Sequence, residues 1–160
     1  MHANGILLKR LFTALGEHDH LAMASCYHPK ARFRDIAFNL RGADEIYDMW
    51  RMICSGDIEV EFEVLEADDR AGRVRLVDTY TFGASKDPPK PGRRVRNAID
   101  SRFQFEDGLI VRHEDDCDAK VWAKQAMGDG VGAFLASRIR LMRSLVANAK
   151  LTKFVRTNPE

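Results

Sequence analysis

Apolar residues recur at helical spacing over residues 5–16, where Ile6, Leu7, Leu11, Phe12 and Leu15 share a face and Gly16 supplies a stop. Asp19 predicts the cap of a second short helix through Leu21, Ala22, Met23 and Cys26, with Pro29 ending it. A short strand is expected at 31–35, with Ala31, Phe33 and Asp35 on one face. A third helix follows Gly42, its apolar side formed by Ile46, Met49, Trp50 and Ile53.

The pattern then changes to alternation. Ile58, Val60, Phe62 and Val64 alternate with Glu59, Glu61 and Glu63, which marks a strand with one wet face. Residues 73–82 place Val74, Leu76, Asp78, Tyr80 and Phe82 on one side, and 95–106 keep Asn97, Ile99, Ser101, Phe103 and Phe105 in phase. A proline-rich polar connection over 84–94 joins those two strands. Asp107-Gly108 predicts a hairpin turn into a return strand at 109–117, with Val111, His113, Asp115 and Cys117 on one face. Asp118 caps a short helix through Val121, Trp122 and Met127, and Gly128 to Gly132 interrupts it. A final helix is expected from about 131 to 149, with Val131, Leu135, Ile139, Met142, Leu145 and Val146 as its apolar positions. Helices followed by a meander define an α+β fold: a cone-shaped, curved antiparallel sheet with helices packed on its concave side around a pocket. Residues 1–128 are read as that domain and 129–160 as its C-terminal helical extension.

Composition narrows the functional classes. A chain of 160 residues, 45% hydrophobic, suits one globular domain. Its 25 Lys and Arg against 24 Asp and Glu give a net charge of +1, which argues against a nucleic-acid binder. No apolar run reaches the roughly 20 residues of a membrane span, and Met1-His2-Ala3-Asn4-Gly5 has no signal-peptide character. Cys26, Cys54 and Cys117 are odd in number and widely spaced, as expected of reduced thiols in the cytoplasm. His18, His20 and His28 lack zinc-site spacing, Asp115, Asp116 and Asp118 are not an EF-hand, and no glycine-rich phosphate loop exists, so neither metal nor cofactor is expected. The neutrality conceals an asymmetry. Residues 130–160 carry Arg138, Arg140, Arg143, Lys150, Lys153 and Arg156 against Glu160 alone. This basic C-terminal helix reads as a solvated face that packs on the body, contacts a second subunit or covers the pocket mouth.

The segment Tyr27-His28-Pro29-Lys30-Ala31-Arg32-Phe33-Arg34-Asp35, then Leu40-Arg41-Gly42 and a helix containing Trp50, resembles the front half of a nuclear transport factor 2-like (SnoaL-like) domain. Phe103-Gln104-Phe105-Glu106-Asp107-Gly108-Leu109-Ile110, followed by His113-Glu114-Asp115-Asp116-Cys117-Asp118, resembles its last hairpin. The resemblance spans roughly residues 5–128 and implies a conical pocket and dimers formed through the sheet's outer face. The superfamily includes ketosteroid isomerases, limonene epoxide hydrolases, polyketide cyclases and non-catalytic members, so the fold does not choose a reaction.

Asp35 matches the general base of the isomerase pattern, and desolvation on an apolar face would raise its pKa toward neutrality. The competing reading is a strand-end aspartate that caps a turn. The isomerase's oxyanion donors would fall at Leu11 and Ser101, which disfavours steroid isomerisation. The segment around Asp115 is similar to the hydrolase motif Trp-Arg-Asp-Tyr-Phe-Asp, with Asp115 at the water-activating aspartate and Asp78 at the acid. The hydrolase's bridging arginine would fall near Leu76 and its water-holding asparagine near Asp35. His113, in phase with Asp115, is either a proton carrier and orienter or a hydrogen-bonded core histidine. The expected catalytic residues are therefore Asp35, His113 and Asp115, with Trp50 at the rim and Asp78, Tyr80, Asn97 and Ser101 as ligand contacts. The sequence is that of a cofactor-free acid–base enzyme of isomerase, cyclase or hydrolase type acting on a small apolar molecule. A non-catalytic ligand-binding or dimerisation module is the alternative.

Overall fold

Capping side chains set several helix starts. Asp19 accepts the Ala22 amide at 2.9 Å and begins α2 (His20–Ala24), while Asp118 accepts the amides of Lys120 and Val121 and begins α4 (Ala119–Met127). The computed structural model describes residues 1–160. Ahead of α2 lies α1 (Ala3–Gly16), and β1 (Tyr27–Arg34), β2 (Asn39–Arg41) and α3 (Ala43–Cys54) follow it. Next come β3 (Glu59–Ala67), β4 (Ala71–Phe82), the two-residue strands β5 (Ser85–Lys86) and β6 (Pro89–Lys90), β7 (Arg93–Glu106) and β8 (Leu109–Asp116). After α4 the chain ends in α5 (Val131–Arg138) and α6 (Arg140–Thr157).

Six strands form one curved, unclosed sheet in the order β2-β1-β8-β7-β4-β3, and β5 and β6 pair separately as a small ribbon in the proline-rich connection. All neighbours in the large sheet are antiparallel except β1 and β8, which run parallel. Strand β7 shows the alternation most plainly: Val95, Asn97, Ile99, Ser101, Phe103 and Phe105 are buried and the residues between them face outward. Helix α1 packs on β3 and β4, and α3 packs on β1 and β2. They close a core in which Phe12 meets Phe62 at 5.5 Å and Phe33 meets Trp50 at 5.8 Å. Each such ring contributes roughly 2–3 kcal/mol through the apolar area it removes from water. Gly72 lets α1 come this close, because a Cβ there would lie 2.7 Å from the Leu8 side chain and 3.1 Å from the Phe105 ring. Trp122, Ala123 and Ala126 of α4 pack with Val95 and Ala136 into a second, smaller cluster.

The structure departs from the sequence expectations at four places. Strand β1 begins at Tyr27, and Pro29 sits in an irregular stretch of its register with β8, where no ladder amide is required of it. Strand β2 is too short to show a period. The turn at Asp107-Gly108 forms as expected, with both residues at positive φ, but a bulge beyond it buries Ile110 in place of Val111. The final helix is broken at Ile139, whose backbone is extended, and it continues to Thr157. Val131, Ile139 and Leu145, expected on its buried stripe, are exposed. No helix is long and apolar enough to cross a membrane, and the three cysteines are free thiols.

Candidate functional site

The inner faces of β1, β4, β7 and β8 converge on a cavity of about 270 Å3 whose walls are mostly hydrophobic. That volume suits a small apolar molecule. Asp35, Asp78 and Asp115 all line it, with Asn97 and Tyr80 beside Asp78 and the thiol of Cys117 beside Asp115. The β4–β7 register sets Asp78 opposite Asn97, and the β7–β8 register sets Ser101 opposite Asp115. The parallel β1–β8 register pairs Phe33 with His113 and Arg34 with Glu114, which brings Asp35 to the level of Asp115.

Ser101 and His113 do not line the cavity; they hold Asp115 from behind. His113 is fully buried, with Nε2 2.7 Å from Asp115 Oδ1 and Nδ1 2.8 Å from the Tyr27 hydroxyl. Trp50 Nε1 donates to that hydroxyl at 3.1 Å, and the Ser101 hydroxyl donates to Asp115 Oδ1. In the Nε2–H tautomer every group in this row has a partner: Trp50 donates to Tyr27, Tyr27 to His113, and His113 to Asp115. Burial holds the Tyr27 phenol well above its ordinary pKa, so it stays a donor. His113 is thus a buried histidine with both ring nitrogens hydrogen-bonded, one of them to a cavity carboxylate. Trp50, expected at the rim, is buried and lines the cavity with its indole N–H committed to Tyr27. The sequence gives Tyr27 no evident role, because Pro29 and the irregular stretch of β1 separate it from the alternation of Ala31 and Phe33.

Asp35 caps a turn and lines the cavity. Its Oδ1 accepts the amides of Ala37 at 2.7 Å and Phe38 at 2.5 Å, capping the turn after β1, and Oδ2 makes no hydrogen bond. Burial pushes its pKa up to about 6; the two amides oppose that rise, Asp115 adds to it, and Arg140 opposes it. Asp78 is different. Its Oδ1 is buried with no hydrogen-bond partner, and burial followed by the charge of Asp115 raises its pKa to about 7, against the Asn97 amide. Burial and the same carboxylates push the Cys117 thiol up to about 12, so it is no nucleophile near neutral pH. The Tyr80 hydroxyl accepts from Trp122 Nε1 at 2.8 Å and from Asn97 at 3.4 Å. Helix α6 closes the cavity with Ala147 and Lys150, whose ammonium lies 4.4 Å from the Phe82 ring centre.

A curved sheet with helices over an acid-lined cavity is the architecture of the nuclear transport factor 2-like class. Residues 8–113 match the SnoaL-like domain, and the chain belongs to that family. No curated protein matches the chain in sequence. Among solved structures, an LEH-like epoxide hydrolase of M. tuberculosis is similar at 19% identity with a TM-score of 0.60, covering 92% of this chain and 95% of that one. TsrD of Streptomyces laurentii is similar at 23% identity and a TM-score of 0.64, over 79% of this chain and 96% of that one. An NTF2-like protein of unknown function from Burkholderia pseudomallei reaches a TM-score of 0.66 at 17% identity, over 79% and 99%. These likenesses establish the fold.

Proposed function

We propose that this protein is a cofactor-free acid–base enzyme that adds water across the strained ring of a small apolar epoxide. One observation carries the reading: Asp35, with a free Oδ2, and Asp78, with an unpartnered buried Oδ1, share an apolar cavity with a third carboxylate, and burial, aided by that neighbour, raises both toward neutrality. The open Oδ2 of Asp35 takes a proton from water as the water oxygen attacks a ring carbon. The carbon–oxygen bond of the epoxide breaks, and its oxygen receives the proton of Asp78, giving a vicinal diol. Burial is what keeps Asp78 protonated, and the neighbouring Asp115, oriented by His113 and Ser101, adds to it. The likeness to an epoxide hydrolase over nearly the whole chain supports the same class.

The test is a panel of epoxides and enolisable ketones assayed at pH 6.5 with the wild type, Asp35→Asn and Asp78→Asn. Epoxide opening that falls on the order of 100- to 1000-fold in each variant is expected. Turnover that survives both changes overturns the assignment. Stoichiometric binding of every compound with no turnover makes the protein a ligand-binding module.

A further inference from the structure

The wall of the cavity that carries Asp35 is fastened from outside the residues matched by the family. Between β1 and β2 the chain turns through Asp35, Ile36, Ala37 and Phe38, and all four line the cavity. The carbonyl of each accepts a hydrogen bond from a side chain of α6. Arg140 donates to the carbonyls of Asp35 at 2.5 Å and Phe38 at 2.9 Å. Arg143 donates through Nε to Ile36 at 2.6 Å and through a terminal nitrogen to Ala136 at 3.0 Å, and the Ser144 hydroxyl donates to Ala37 at 2.5 Å. Arg143 is buried and has only carbonyl partners. Burying a guanidinium costs desolvation energy that an apolar contact would not, so these bonds fix a geometry at some expense of stability. The break at Ile139 is what turns α6 so that Arg140, Arg143 and Ser144 fall on its inward face.

We infer that Arg140, Arg143 and Ser144 are positioning residues: through four backbone carbonyls they set the turn whose amides aim the carboxyl of Asp35 into the cavity. A planar fork spans the two ends of the turn, Asp35 and Phe38, which a lysine ammonium does not reproduce. That Asp35 acts as a base rests on the reading above; that α6 positions it does not. The charged and titratable groups around this carboxyl are Asp115 and Cys117 at the end of β8, Asp78 on β4, and Arg140 on α6.

Amide hydrogen exchange followed by NMR tests this without any substrate. In Arg140→Gln, Arg140→Lys and Ser144→Ala the amides of Ala37 and Phe38, which bond Asp35 Oδ1, are expected to exchange on the order of tenfold faster or more. The amides of Val74 and Ile99 in the sheet are expected to keep their rates. In Arg140→Gln the Asp35 carboxyl, followed by its 13C shift, is expected to titrate at least roughly half a unit higher. It loses a cation and the alignment of two donor amides. Lys150→Gln, which touches the cavity but not the turn, serves as the control and leaves all four amides unchanged. Unchanged exchange at Ala37 and Phe38, or equal acceleration at Val74 and Ile99, overturns the inference. If Arg140→Gln does not fold, Ser144→Ala alone decides. These readouts need no turnover, so their failure is distinct from failure of the epoxide reading.

Discussion

Two of the three cavity carboxylates sit on opposite sides of β7 and differ in what surrounds them. On the β8 side, Asp115 ends a row of side chains from Trp50 through Tyr27 and His113, and its Oδ1 takes hydrogen bonds from both His113 and Ser101. On the β4 side, Asp78 has a buried oxygen with none. The contrast shows how one apolar cavity gives two carboxyl groups different surroundings. Two donors meet Asp115, and their scarcity around Asp78 leaves burial to favour the neutral acid there.

The comparison breaks most severely at His113. Replacing it with alanine empties the space of a fully buried ring and strands both Tyr27 and Asp115. A loss of about 4 kcal/mol is expected, read from urea unfolding. Asp78→Asn should do the opposite, and only at high pH. Its folded pKa lies near 7 and its unfolded value near 4, so the native state binds the extra proton between those values. Stability therefore falls as pH rises from about 4 to about 7, and it is lowest where the folded group must ionise. The asparagine variant should gain on the order of 4 kcal/mol at pH 8 and nothing at pH 4. Asp115→Asn sharpens the contrast with the smallest effect. Turnover should rise with pH as Asp35 ionises near 6 and fall as Asp78 ionises near 7. Removing the charge of Asp115 lowers both values, so both limbs of the profile should move to lower pH by roughly half a unit to one unit. Limbs that stay in place would refute the role given to that charge.

Much of this was legible from alternation. In β7 the buried and exposed positions follow period two along most of the strand, which places Asn97 and Ser101 on the inner face; in β4 burial alternates only up to Leu76, and Asp78 and Tyr80 follow from the sequence phase of Val74 and Leu76. The Asp35 turn and the Asp118 cap followed from side-chain chemistry that works over two or three residues. Legibility failed where a distant partner decides. Tyr27 meets His113 across 86 positions, and nothing near Tyr27 announces it. Along α6 the inward residues Arg140, Arg143 and Ser144 are polar because they answer backbone carbonyls 102 to 107 positions away. An apolar-period reading looks for a greasy stripe there and so turns the helix the wrong way.

The parallel pairing of β1 with β8 has a consequence for how the molecule is made. The first strand of the sheet waits for the last, so no cavity wall containing both Asp35 and Asp115 exists until residues 109–116 have docked. Contacts closed over so long a stretch of chain are entropically expensive and form late. The emerging polypeptide therefore holds a first strand with no neighbour on that side through most of its synthesis, and the wall that joins Asp35 to Asp115 is completed late.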